Sequence, residues 1–182
     1  RKPLAIHDPG KIILDLALSL VLGGEALSDL ATLRAEPGVY GSVASDPTVS
    51  RLIKALADDA DKAIKAISSA RQQARATVWG VAGVHAPDHG ATAEQPLIID
   101  LDASLVTAHS EKQQAAPTFK RGYGFHPLMA FADHGADGTG EALEILLRPG
   151  NAGSNKASDH IAVTRQALAQ LPDRNPRPGR RV

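Results

Sequence analysis

The sequence predicts a mixed α/β (α+β) fold, with a helical N-terminal domain followed by three antiparallel strands and a closing helix. Three observations predict it. Apolar residues recur at helical spacing through the first 80 positions, a breaker-rich segment follows, and beyond it the pattern shortens to strand-like runs. Composition agrees with a folded chain: 182 residues, 43% hydrophobic and 22% charged. Aromatics are only 3%, so the core must be built from Leu, Ile, Val and Ala. Twenty Lys and Arg balance twenty Asp and Glu, which argues against a wholly basic nucleic-acid coat and leaves room for a local basic groove. The absence of cysteine excludes disulfides, thiolate metal sites and a cysteine nucleophile, and fits a reducing cytosol. The longest apolar stretch, Ile12 to Leu22, is too short to span a bilayer, and no signal-peptide pattern precedes it. The chain begins at Arg1 and reads as a segment of something longer.

Each element has a local reason. Asp8-Pro9 supplies a helix cap and first-turn proline, Gly23-Gly24 a stop, and Ile12, Ile13, Leu16, Leu20 and Val21 a stripe between them. Leu14, Leu18 and Leu22 widen that stripe until the helix is apolar nearly all round, so it should be buried or partnered. A short helix carries Leu27, Leu30 and Leu33. Asp46-Pro47 repeats the start signal before Val49, Leu52, Ile53 and Leu56, and a longer Ala-rich helix runs from about Asp61 to about Val78. After the linker, Leu97 to Asp102 reads as a buried strand extending as far as Ala108, Phe125 to Ala132 as a second and Ala142 to Leu147 as a third. Ser158-Asp159 opens the last helix. The expected domains are therefore 1–82 (helical, for DNA binding or dimerisation), 83–96 (linker), 97–171 (strands and helix) and 172–182 (a disordered basic tail).

The strongest chemical signal is Ile98-Ile99-Asp100-Leu101-Asp102-Ala103-Ser104. Carboxylates inside an apolar strand are costly unless compensated, and their alternation puts Asp100 and Asp102 on one face. Such a pair can share a divalent cation or act as nucleophile and acid. The plainer alternative is a strand-end cap, or a pairing with Arg121 or Arg148. Two enzyme classes use the pattern. A phosphatase of the haloacid-dehalogenase type would use Asp100 as nucleophile and Asp102 as acid/base, and needs a parallel sheet. Polynucleotidyl transferases of the ribonuclease-H-like fold hold Mg²⁺ on a carboxylate of a first, central strand, followed by two antiparallel strands and a helix. The element order read here favours the second class.

Further motifs are Val43-Ala44-Ser45-Asp46-Pro47-Thr48, then Phe119-Lys120 with Gly122 and His126-Pro127-Leu128, and Leu147-Arg148-Pro149-Gly150-Asn151. In this order, together with the Asp-x-Asp strand, the sequence resembles the DDE transposases of bacterial insertion sequences, in particular the 1380 group, from the Asp8-Pro9 helix to about Leu171. The resemblance implies an incomplete ribonuclease-H-like catalytic domain over 97–171. It implies DNA transposition by metal-dependent strand cleavage and strand transfer, with Asp102 as catalytic residue and first metal ligand and Asp100 as the lesser choice. The cofactor it implies is Mg²⁺ or Mn²⁺, with two ions roughly 4 Å apart activating the attacking hydroxyl and the leaving oxygen. The implied partners are transposon terminal inverted repeats and target DNA, with a homodimer also expected, no membrane, and a bacterial, cytoplasmic, nucleoid-associated location. The family also needs a second aspartate on the next strand and a later glutamate. Asp133, Asp137, Glu141 and Glu144 fall too early for either. The chain is thus expected to be the front part of a transposase that cleaves nothing alone. A non-catalytic DNA-binding or dimerising remnant is the other reading.

Basic residues supply candidate DNA contacts. Lys120, Arg121 and Arg148 could neutralise phosphates or simply solubilise the surface. The helices from Asp46 to Val78 read equally as a helix-turn-helix, with Arg51, Lys54, Arg71 and Arg75, or as a packing layer. His126 reads as a phosphate neighbour or a strand cap. His85 and His89 do not form a zinc site, because Pro87 and Gly90 forbid the helix their spacing would need.

Overall fold

The first helix begins where its cap signal lies: the Asp8 carboxylate accepts from the Gly10 and Lys11 amides, and α1 runs Pro9–Val21. The computed structural model describes residues 6–109, 111–135, 138–153 and 155–172. Residues 173–182 of the expected basic tail lie outside the described residues. The chain divides into two compact units, Arg1–Lys65 and Ala66–Val182, with the division inside a long helix.

The first unit contains α1, then α2 (Leu30–Arg34), α3 (Pro37–Tyr40), α4 (Asp46–Ala57) and the start of α5 (Ala60–Ala82). Ile12, Leu30, Leu33, Ala44 and Val49 form its core. The α1 face that goes inward is not its leucine-rich one: Ile12, Asp15 and Ser19 are buried while Leu14, Leu20 and Val21 are exposed. Lys11 makes this tolerable by pairing with the Asp15 carboxylate one turn on. Asp46 is the first helical residue of α4 rather than its cap; Ser45 takes the cap position, and Asp46 pairs with Arg34 at 2.9 Å.

The second unit begins with the rest of α5, which continues past Val78 through Trp79 to Ala82. Among the described residues six strands follow: β1 (Ile99–Ala103), β2 (Val106–Thr107), β3 (Ala116–Pro117), β4 (Tyr123–Phe125), β5 (Leu128–Ala132) and β6 (Glu141–Leu146), then α6 (Ala157–Ala169). They make two antiparallel sheets, β1-β5-β6 and β2-β4-β3. The expected order of three antiparallel strands and a helix is present in the first sheet, on which α6 packs through β5 and β6. Trp79, Leu128, Ala130, Ala132, Leu143, Val163 and Ala167 fill the core between them.

Two expectations change in detail. The strand expected over 125–132 is broken at His126-Pro127, and the strand running toward Ala108 is broken at Ser104-Leu105. Both breaks fall at the same level, because β1 with β5 and β2 with β4 share one register: Ala103 faces Leu128, and Val106 faces Phe125. They are one ribbon that bends from the first sheet into the second. Pro127 lacks an amide hydrogen, so a bend there forgoes no ladder bond. The second sheet was not legible as strands because its segments are two or three residues long. In addition, β5 is the central strand of the first sheet, and β1 lies at its edge among the described residues. That antiparallel sheet is not the parallel one a haloacid-dehalogenase-type phosphatase requires.

Candidate metal and DNA site on the edge strand

Asp100 and Asp102 sit two residues apart in β1, opposite Phe131 and Met129 of β5. Ile99 and Ala103, on the other face of the pleat, pack on the core. Both aspartates therefore lie on one sheet face, and both are exposed. Asp102 Oδ2 accepts a 2.6 Å hydrogen bond from the Ser104 hydroxyl, and no ion pair holds either aspartate among the described residues. The pairing of one of these aspartates with Arg121 or Arg148, the plainer alternative, is not among the ion pairs of the described residues. Among the described residues no three carboxylates or imidazoles converge on one point. What the strand offers is two exposed carboxylates on one face. That set fits a hard cation such as Mg²⁺, which takes one or two carboxylates and completes its shell with water and substrate phosphates.

The end of this strand is held by a frame that sequence reasoning missed. His126, 1% exposed, has Nδ1 2.7 Å from the Ala152 carbonyl and Nε2 3.3 Å from the carbonyl of Ala103, the residue after Asp102. It is thus an interior brace and not a phosphate neighbour. Arg148, expected on a DNA-facing surface, is 3% exposed. Its Nε donates to the His126 carbonyl, and Nη1 donates to the Gly153 carbonyl and to Asp159. An Arg rather than a Lys suits this place because its planar fork serves several acceptors at once. Gly150 lies so close to the second sheet that a Cβ would stand 2.3 Å from the Ala116 carbonyl oxygen. The Arg-Pro-Gly-Asn motif is therefore a packing motif. Its signal was present in the sequence as an Arg beside Pro-Gly, but charge alone suggested solvent.

Lys120 and Arg121 are exposed, at the tip of the β3–β4 hairpin. Arg71 and Arg75, considered for a helix-turn-helix, turn to the sheet instead. Arg71 donates to the Ala142 carbonyl at 2.7 Å; Arg75, buried, meets Glu141, the Ala142 carbonyl and both the carbonyl and side chain of Gln170. Trp79 and His134 complete the set around Glu141. Arg51 and Lys54 remain exposed on α4.

Two carboxyls in these frameworks are shifted. Burial pushes Glu141 up, but hydrogen bonds from Trp79 and Arg75, the Arg75 charge and His134 outweigh it and hold the group below its usual range. Burial likewise raises Asp159, and Arg148, Lys156 and Ser158 together bring it below its ordinary value. A carboxyl with a lowered folded-state pKa stabilises the fold above its unfolded pKa and loses that contribution as pH falls through the lower folded value. Stability should therefore decline as pH drops below about 4.5, the ordinary value for glutamate. Urea midpoints between about pH 6 and about pH 3 measure it, and Glu141→Gln should show a shallower decline than the wild type.

A family model described as transposase DDE domain group 1 matches residues 1–180. The chain belongs to this transposase family. No curated protein and no solved structure is significantly similar to it. DDE transposases act in transposition on DNA and use divalent metal, so the exposed aspartates of this transposase chain stand in a family whose chemistry needs such groups. No helix among its described residues is long and apolar enough to cross a membrane.

Proposed function

We propose that this transposase chain contributes the first metal-binding carboxylate, Asp102, to a ribonuclease-H-like centre for DNA strand cleavage and strand transfer. Asp100 is a secondary ligand and Mg²⁺ or Mn²⁺ the cofactor. The observation that carries this is the pair of same-face, exposed carboxylates on β1, in a family that cuts and joins DNA with divalent metal. When bound with DNA phosphates, the ion supplies activation of the attacking hydroxyl and stabilisation of the leaving oxygen. The chain's own residues do the rest of what is described: Asp102 presents its carboxylate, Ser104 orients it, and His126 and Arg148 hold the strand end that carries it. Terminal inverted repeats and target DNA are the proposed substrates, with the 1380 group the proposed branch of the family.

Because DNA phosphates complete the ion's shell, metal and DNA should each raise the affinity for the other by the same factor. Titrating duplex DNA with and without Mn²⁺, and Mn²⁺ with and without DNA, tests this on the purified chain. Equal mutual enhancement supports the proposal. DNA binding indifferent to Mn²⁺ would instead indicate the non-catalytic DNA-binding remnant.

A further inference from the structure

The β3–β4 hairpin carries a feature that metal chemistry does not use. Its turn is tight: the Thr118 amide donates to the Gly122 carbonyl at 2.9 Å, the Arg121 amide to the Thr118 carbonyl at 3.1 Å, and the Gly122 amide to the Thr118 hydroxyl at 3.0 Å. Arg121 occupies the left-handed region at φ 61°, the position that closes a three-residue hairpin loop. The three loop residues are Phe119, Lys120 and Arg121. In a chain with only three Phe, one Trp and two Tyr, Phe119 is left 64% exposed at this tip. By contrast Trp79 and Phe125 are buried, and Phe131 is half-buried. Nor is the ring adrift. Its centroid lies 5.3 Å from that of His126, whose Nε2 contacts the carbonyl of Ala103 beside Asp102.

We infer that Phe119 is a stacking platform for an unpaired DNA base next to the Asp102 site, with Lys120 and Arg121 holding the adjoining phosphates. This rests on the DNA-processing reading above and extends it to a specific ligand chemistry. An exposed aromatic face flanked by cations is the combination that holds unpaired nucleotides, since every base offers a π-face and every linkage a charge. A tight turn keeps the entropic cost of presenting that face low. The His126 brace couples the position of the ring to the strand end that carries the carboxylates.

The test compares anisotropy of a labelled duplex with that of the same duplex bearing a frayed, unpaired end, at two salt concentrations. The wild type should prefer the frayed duplex, and Phe119→Ala should reduce that preference by about tenfold, as expected for the loss of one stacked base. Phe119→Tyr should keep it. The double variant Lys120→Gln, Arg121→Asn should weaken both duplexes and flatten the salt dependence while leaving the preference intact; asparagine is chosen because it tolerates the left-handed backbone. A purely structural role for Phe119 would move both duplexes together and leave their ratio unchanged. An unchanged ratio in Phe119→Ala, with Mn²⁺–DNA coupling preserved, overturns this inference alone. Absence of all DNA binding overturns it together with the proposed function.

Discussion

Asp102→Asn is expected to abolish Mn²⁺ binding at β1, at metal concentrations that fill the site in the wild type, while leaving the fold unchanged. Asparagine keeps an oxygen that can accept from the Ser104 hydroxyl, so the local hydrogen bond survives. What disappears is the charge of the first ligand, and the secondary carboxylate of Asp100 with a neutral amide oxygen beside it does not hold a hard cation in water-exposed surroundings at those concentrations. Asp100→Asn should weaken binding by less, since Asp102 then remains. Paramagnetic broadening of the Ile99–Ala103 amides reads both outcomes residue by residue. Equal loss in the two variants would make the aspartates equivalent ligands and remove the priority given to Asp102. Broadening that persists at β1 in Asp102→Asn would show that the ion is held there without Asp102.

Arg75→Met should cost the second unit about 3 kcal/mol, at the low end of the range for breaking a buried ion pair because the Glu141 side chain is only partly buried. Its side chain is enclosed and serves Glu141, the Ala142 carbonyl and Gln170, thereby joining α5 to β6 and to the end of α6. Methionine fills similar space but returns none of these hydrogen bonds, leaving the Gln170 carbonyl without its guanidinium partner. The cost is kept from the upper end because Arg71 still reaches the Ala142 carbonyl and Glu141 keeps Trp79 and His134. A fall in melting temperature on the order of 10 °C should accompany it. Arg51→Met, on the exposed face of α4, should change stability little. If the two substitutions cost the same, the buried network contributes nothing particular to the fold.

The longer helices were legible because their signals are local, whereas α3 begins at Pro37-Gly38, which reads as a stop. Asp8-Pro9 closes its own cap, and Val49, Leu52, Ile53 and Leu56 share a face by spacing alone. The same holds for the aspartates: alternation along β1 places both on one side whatever the strand packs against. By contrast, the roles of charged side chains followed from partners far along the chain. Arg148 and Arg75 looked like solvent-facing cations, yet each has a set of carbonyl oxygens waiting in the interior, and burial with several acceptors is feasible only once those acceptors are brought together. Likewise Leu14 and Leu20 on α1 were marked for burial by hydropathy, whereas the inward face is the one bearing Asp15 and Ser19.

By itself, then, the sequence determined the order of the longer helices and of the first sheet's strands, the same-face carboxylates and the family to which such motifs belong, since these depend on neighbours within a few residues. Tertiary structure alone decided where the ribbon bends between its two sheets, that β1 lies at a sheet edge among the described residues, and which cations are interior braces and which face water. Those outcomes depend on hydrogen-bond acceptors and packing surfaces separated by tens of residues, and no local periodicity encodes them.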